Sequence, residues 1–121
     1  MAVGFGKGHH RGSVNSIQCS ENGFNLISAS EKDICLWDLR DFQTPVQRIE
    51  VPSLQVRKLH LNQSAVYLAA AGSKVVIYKA EDLSEVVQLS SHSEPVTDIK
   101  WDLSSSYLAS TSLDRTMKFY Y

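Results

Sequence analysis

The sequence predicts an all-β protein made of about three repeated four-stranded antiparallel sheets, the last lacking its outer strand. Three observations carry that expectation. Val14, Val56 and Val96 each open a short alternating run. Leu26, Leu68 and Leu108 each sit in a run of small residues, as in Leu26-Ile27-Ser28-Ala29-Ser30. Trp37, Tyr78 and Tyr120 each close a third run. The three series step together by about 41 residues, and self-similarity at one fixed period marks a stacked array of identical supersecondary units.

The elements follow in order. Few segments hold a helical period; short alternating or apolar runs are separated by polar or glycine-containing turns. The first unit reads as strands over 14–19, 24–30, 33–39 and 45–51. The turn Ser20-Glu21-Asn22-Gly23 supplies the positive φ that a tight hairpin needs. Ile34, Leu36 and Trp37 are the packing residues of the third strand. The second unit gives strands over 56–61, 67–71, 75–78 and 86–89, and the third gives 96–101, 107–112 and 116–120. The units span about 14–51, 56–89 and 96–121, with no separate domain boundary within 1–121.

This period, with the pair Trp37-Asp38, is the signature of a WD-repeat blade, so the expected architecture is a partial WD40 β-propeller. Propellers close with four to eight blades. Three blades would leave two apolar flanks in water, a costly arrangement prone to association. The sequence therefore reads as the carboxyl-terminal part of a longer chain, not expected to fold alone as a compact monomer. Met1-Ala2-Val3-Gly4-Phe5 reads as the tail of an earlier outer strand.

Lys and Arg total 12 against 13 Asp and Glu, a formal charge of −1, so no basic excess argues for direct nucleic-acid binding. The runs 66–71 and 75–78 are strand-length and too short to span a bilayer, and the first twenty residues hold no signal-peptide core. Cys19 and Cys35 fall in different strands without metal-ligand spacing, and read as two small buried or half-buried thiols. A soluble protein of a reducing compartment is the expectation, without membrane contact.

The candidate polar sites recur with the repeat. His10, Ser28, Asp33 and Trp37 form one set, and His92, Ser110 and Asp114, with Tyr120 in the tryptophan position, form another. A buried indole N–H and hydroxyl need partners, which the histidine and aspartate supply. In the first set the turn carrying Asp33 is one residue short; in the second the indole donor is lost. The second unit has Ala70 and Tyr78 and no matching His or Asp, leaving packing to hold it.

Ser28, His10 and Asp33 also have the composition of a hydrolytic triad. Ser28 lies within a strand and lacks the Gly-x-Ser-x-Gly elbow, and a structural set explains the same residues twice. No catalytic residue is therefore expected. Residues 4–8 lack the Gly-Lys-Ser/Thr order of a phosphate loop, and His9-His10 lack further ligands, so no cofactor and no metal are expected. The loops joining outer to inner and second to third strands share one face of a propeller. There Arg11, Lys32, Lys74, Glu94 and Arg115 form a candidate partner-binding rim, with the two arginines as the better anchors.

Several strings go beyond a generic repeat: Ser20-Glu21-Asn22-Gly23-Phe24, Leu36-Trp37-Asp38-Leu39-Arg40, Tyr67-Leu68-Ala69, and above all the run 107–120 from Tyr107-Leu108-Ala109-Ser110 to Met117-Lys118-Phe119-Tyr120. Over residues 14–121 the chain resembles the last blades of the pre-mRNA-processing factor nineteen family. That resemblance implies a nuclear scaffold of a spliceosome-associated complex. Its members carry a U-box for ubiquitin transfer, a coiled coil that makes the parent protein a homo-oligomer, and a propeller that engages proteins. The implied partners are splicing-complex subunits and ubiquitylation substrates. The divergent second unit, Tyr120, and the linker after Arg40-Asp41-Phe42 depart from the family pattern, which keeps open a WD40 adaptor or substrate receptor of another complex.

Overall fold

A computed structural model describes residues 10–20, 23–41 and 43–121. The segment 4–8, His9, the Glu21-Asn22 turn and Phe42, each read in the sequence above, lie outside the described residues. Three antiparallel sheets follow one another. The first comprises β1 (Ser16–Cys19), β2 (Asn25–Ala29), β3 (Asp33–Asp38) and β4 (Gln47–Glu50). The second comprises β5 (Lys58–Leu61), β6 (Tyr67–Ala71), β7 (Val75–Lys79) and β8 (Glu85–Leu89). The third has β9 (Val96–Trp101), β10 (Leu108–Ser112) and β11 (Met117–Tyr120). Strand order is sequential throughout, no helix occurs among the described residues, and the arc of sheets does not close.

The landmarks that repeat in sequence are cross-strand neighbours in space. Leu26 pairs with Trp37, Leu68 with Tyr78 and Leu108 with Tyr120. On the other side of the second strand the same leucines face Cys19, Leu61 and Trp101. Directly opposed pairs are where side chains on one sheet face gain contact, so each sheet reuses one apolar column.

Alternation splits every sheet into two faces. On the forward face of the first sheet, Ile27, Ala29, Ile34 and Leu36 are buried against Leu59, Leu61, Leu68, Ala70, Val76 and Tyr78, the rear face of the second. The forward face of the second, with Ala69, Ala71, Val75 and Ile77, packs on Val96, Ile99 and Leu108, the rear face of the third, with Trp101 and Tyr120 at the margin. The central sheet is covered on both sides, which explains its near-continuous apolar strands. Each large aliphatic side chain buried in these seams contributes roughly 1.5–3 kcal/mol. The outer flanks stay open: Ile17 at one end and Met117 and Phe119 at the other are exposed.

Inner strands also tie sheet to sheet. The Leu59 N–H donates to Ser16 Oγ at 3.0 Å and the Leu61 N–H to Gln18 Oε1 at 3.2 Å. The Trp101 N–H donates to His60 Nδ1 at 2.7 Å, and the Trp101 indole donates to the His60 carbonyl at 3.0 Å. Side chains of one inner strand thus satisfy the edge of the next, a common way to guard unpaired strand edges. Burial holds the His60 imidazole pKa below its usual value, with Lys100 adding to the shift. The second unit is therefore held by polar ties as well as by packing, a correction to the expectation above. Asn62 adds another, its side-chain Oδ1 accepting the Val66 and Tyr67 N–H groups at 2.9 and 3.0 Å.

The turns between first and second strands repeat as well. Gly23 has φ +75°, and Ala65 and Ser105 at the corresponding places both have φ +59°. Their N–H groups bond back to Ser20, Asn62 and Asp102 at 3.1, 2.9 and 2.8 Å. Gly72 is constrained differently: a Cβ there would lie 2.1 Å from the Leu54 carbonyl oxygen. Gly72→Ala is expected to cost about 2–4 kcal/mol through backbone displacement at the first seam. Gly23→Ala, with open space around it, is expected to cost only about 1 kcal/mol, from conformation alone. Urea unfolding midpoints of the two variants check both the size and the order.

Candidate functional site

The first polar set converges on the rear face of the first sheet. The Trp37 indole on β3 donates to Ser28 Oγ on β2 at 2.8 Å. Ser28 Oγ lies 2.6 Å from His10 Nε2, and His10 Nδ1 is hydrogen-bonded to Asp33 Oδ1. An ionised carboxylate only accepts, so Nδ1 carries the ring proton. Nε2 then accepts the Ser28 hydroxyl proton, and the Ser28 oxygen accepts the indole. One protonation pattern satisfies the whole chain, and no buried side-chain polar atom among the described residues lacks a partner.

Asp33 is fully buried and is the anchor of this set. Burial opposes its ionisation, but hydrogen bonds from His10, Ser30, the Arg11 backbone and Arg48 outweigh that cost and hold its carboxyl well below the usual carboxylate range. The Ser30 hydroxyl donates at 2.6 Å, the Arg11 N–H at 2.9 Å and an Arg48 guanidinium N–H at 2.8 Å. Asp33 is the first residue of β3, paired with Glu50, and does not sit in the preceding turn. The short turn is the reason: the carboxylate is offered from the strand itself. Beside it, burial first and the Asp33 charge second push the Cys35 thiol up to about 11, so it stays protonated. Cys35 is buried, whereas Cys19 is exposed on the open flank, against the expectation of two shielded thiols.

The third sheet carries the second set. His92 Nδ1 lies 2.8 Å from Asp114 Oδ2, and His92 Nε2 lies 2.7 Å from Ser110 Oγ. Tyr120 OH stands 3.2 Å from Ser110 Oγ and 2.5 Å from Ser91 Oγ. The indole donor is absent, and the phenol oxygen stands in its place within hydrogen-bond distance of Ser110. Asp114 sits in the turn before β11, where the Thr116 hydroxyl donates to it at 2.5 Å and the Ser93 N–H at 3.1 Å. Hydrogen bonding from Thr116, working against desolvation and helped by His92, holds the Asp114 carboxyl well below its usual range.

Arg48, Ser30, Thr116 and Ser91 escaped the sequence reading. Ser30, three residues before Asp33, was the one with a local signal. Arg48 acts across strands, and only the β3–β4 register, which pairs it with Cys35, brings it to Asp33. Ser28 is buried, and its hydroxyl is engaged by both an indole and an imidazole.

The candidate rim residues lie on loops at one end of the sheets. Those loops are bonded sideways into a ledge: the Val56 N–H donates to Glu31 O, Ser73 to Leu54 O, Val96 to Gly72 O and Leu113 to Pro95 O, at 2.7–3.1 Å. Arg11 pairs with Glu50 at 3.1 Å, and Lys74 Nζ donates to Gln88 Oε1 at 2.6 Å. Glu94 is exposed, and its backbone carbonyl accepts the Ser112 hydroxyl at 2.9 Å. Lys32 and Arg115 are exposed and, among the described residues, have no ion-pair partner; Arg115 stands at φ +70°. Exposed Arg11–Glu50 contributes little to stability.

Ser28→Ala is expected to destabilise the protein by about 1–3 kcal/mol, because it strands the Trp37 indole N–H and the His10 ring nitrogen. Adding Trp37→Phe should cost less than the sum of the two single changes, as the two share one bond. A double-mutant cycle by urea unfolding reads this. Asp33 and Asp114 also set an acid limit. Their folded-state pKa values are depressed, so the stability they give is complete above about pH 5 and is lost progressively as pH falls through the ordinary carboxylate range toward those lower values. Asp33→Asn should flatten the fall in unfolding midpoint between pH 5 and pH 3, roughly the window in which unfolded carboxylates take up protons.

Comparison with known proteins agrees with this geometry. The family model described as WD domain, G-beta repeat matches residues 3–38 and 83–120. The chain is 30% identical over 117 residues to Pre-mRNA-processing factor 19 homolog 2 of Arabidopsis thaliana, spanning 92% of this chain and 22% of that protein. It is 34% identical over 68 residues to Pre-mRNA-processing factor 19 of Homo sapiens, spanning 56% of this chain and 14% of that protein. A solved structure titled "Crystal structure of RRP9 WD40 repeats" superposes over 92% of this chain and 36% of its own with a TM-score of 0.85 at 19% identity, a likeness of fold. The chain thus spans less than a quarter of these curated relatives. It belongs to the WD domain, G-beta repeat family, and within it is similar to pre-mRNA-processing factor 19 proteins.

Proposed function

We propose that this chain is a protein-docking region of a splicing-associated scaffold. The supporting observation is the ledge of laterally bonded loops on rigid WD sheets, carrying Lys32 and Arg115 unpaired among the described residues, in a chain whose relatives are pre-mRNA-processing factors. Arginine is favoured at interface hot spots, and a rigid platform loses little entropy on binding. Arg115, held by its turn and uncommitted to an ion pair, is the better anchor; Arg11 must first leave Glu50. The partners are protein subunits of a nuclear splicing complex. Where the parent protein transfers ubiquitin, this region contributes by holding partner or substrate near the ligase, with no catalytic group of its own.

The test is a quantitative pull-down of splicing-complex subunits from nuclear extract with the parent protein carrying Arg115→Ala or Lys32→Ala. Arg115→Ala is expected to weaken capture of at least one subunit about tenfold, a loss of roughly 1.4 kcal/mol. Undiminished capture by both variants would remove the rim from the proposal.

A further inference from the structure

The two seams make one tie from different chemistry. Gln18 on β1 and His60 on β5 hold the same place in their sheets, opposite Ile27 and Ala69. Leu61 and Trp101 also correspond, each opposite the repeat leucine of its sheet. At the first seam the Leu61 N–H donates to Gln18 Oε1 at 3.2 Å; at the second the Trp101 N–H donates to His60 Nδ1 at 2.7 Å. An amide oxygen accepts whatever the pH. An imidazole nitrogen accepts only while the ring is neutral, because imidazolium carries a proton on both nitrogens. Nδ1 accepts from Trp101, so the neutral ring holds its proton on Nε2, and a second proton can enter only at the atom that makes the tie.

The surroundings leave His60 without a substitute. At the first seam Ser16 Oγ accepts a second N–H, from Leu59. In the register of the second seam Lys58 stands where Ser16 stands, and the Ile99 N–H turns to Asp98 Oδ1 at 2.9 Å. The His60 ring is half-buried and opens onto a cavity of about 220 Å³ that Cys19, Asn62, Trp101 and Asp102 also line, so protons reach it from solvent. From β9, Lys100 opposes its charge and Asp98 favours it. Lys58 lies two positions before it on β5, and β6 sets the uncharged Ala69 opposite. Among the described residues no carboxylate is hydrogen-bonded to the ring, whereas His10 and His92 each hold an aspartate through Nδ1.

We infer that His60 makes the junction of the second and third sheets a proton-operated latch: neutral, it holds β9 to β5, and protonated, it releases the Trp101 N–H and loosens the third sheet while the first seam stays fixed. Burial and Lys100 hold the folded-state pKa below the ordinary 6.5. The latch is therefore complete above about pH 7.5 and weakens as pH falls through the ordinary histidine range toward that lower value. It works between sheets and does not rest on docking at the rim.

The experiment is amide hydrogen exchange, read by mass spectrometry, on the parent protein and its His60→Gln variant at matched pH from about 7.5 to about 5.5. Glutamine supplies the acceptor used at the first seam without its titration. The ratio of the two proteins at each pH cancels the intrinsic pH dependence of exchange. In peptides covering 99–102 the wild type should exchange faster relative to the variant as pH falls, by about threefold or more over that span, since one proton taken up on opening shifts an equilibrium by up to about tenfold per pH unit. Peptides covering 59–62 should keep a constant ratio. Lys100→Gln, an exposed change, removes the opposing cation and should shrink the acceleration in 99–102, which reads the latch even where His60→Gln fails to fold. A constant ratio in 99–102 overturns the inference. Equal acceleration in 59–62, or undiminished acceleration in Lys100→Gln, overturns it as well. Partner capture enters none of these readouts, so failure of the latch and failure of the docking region are told apart.

Discussion

A sheet has two faces, and an apolar face is stable only when another layer covers it. That constraint organises everything else in this chain. The central sheet satisfies it on both sides, and its residues Leu68, Ala69, Ala70, Ala71 and Val75 are fully buried. The sheets beside it satisfy it fully on one side and in part on the other, where Ile17, Met117 and Phe119 stay exposed while Cys35 and Trp37 are buried. The small residues of β6 allow the neighbouring sheets to approach closely, and Gly72 allows the Leu54 loop to cross within a distance no Cβ would permit. Close approach is what makes the inner-strand ties possible, since Ser16, Gln18 and His60 reach the next strand only across a tight seam.

The polar sets solve a second problem set by the first. Packing a tryptophan or tyrosine beside a strand serine buries donors that water would otherwise satisfy. The chain from indole to hydroxyl to imidazole to carboxylate moves that demand outward, one bond at a time, to Asp33 or Asp114. There the loop backbone, Ser30, Arg48 or Thr116 completes it. The two sets reach one result by different routes. The first uses a buried carboxylate on a strand with an arginine from the outer strand. The third sheet, without a described outer strand, uses a turn aspartate and a threonine. These sets brace the loops at one end of the sheets, and the rim that the proposed docking uses is the outer surface of those same loops.

How much was legible in the sequence follows from what each feature depends on. The repeat and its cross-strand leucine–aromatic columns were readable because each unit must reproduce one column to stack on its neighbour. His10, Ser28, Asp33, Trp37, His92, Ser110 and Asp114 were readable because they recur with that period. Arg48 was not, because it meets Asp33 through a strand register that only the folded sheet decides. The contact of the Tyr120 phenol with Ser110 and Ser91 was not legible, because residue type alone does not say where a phenol oxygen falls. Ala65 and Ser105 adopt a left-handed turn without glycine, so no residue type announced it.

By itself, then, the sequence determined the all-β class, the number and order of the strands and the repeating histidine, serine and aspartate sets of the first and third sheets, because period-two alternation and a fixed repeat are local properties of the chain. Tertiary structure alone decided which face of each sheet meets which neighbour, which rim charges are already paired, and which apolar faces remain open. Those depend on residues about 40 positions apart arriving at one seam, and no local pattern encodes the geometry of that meeting.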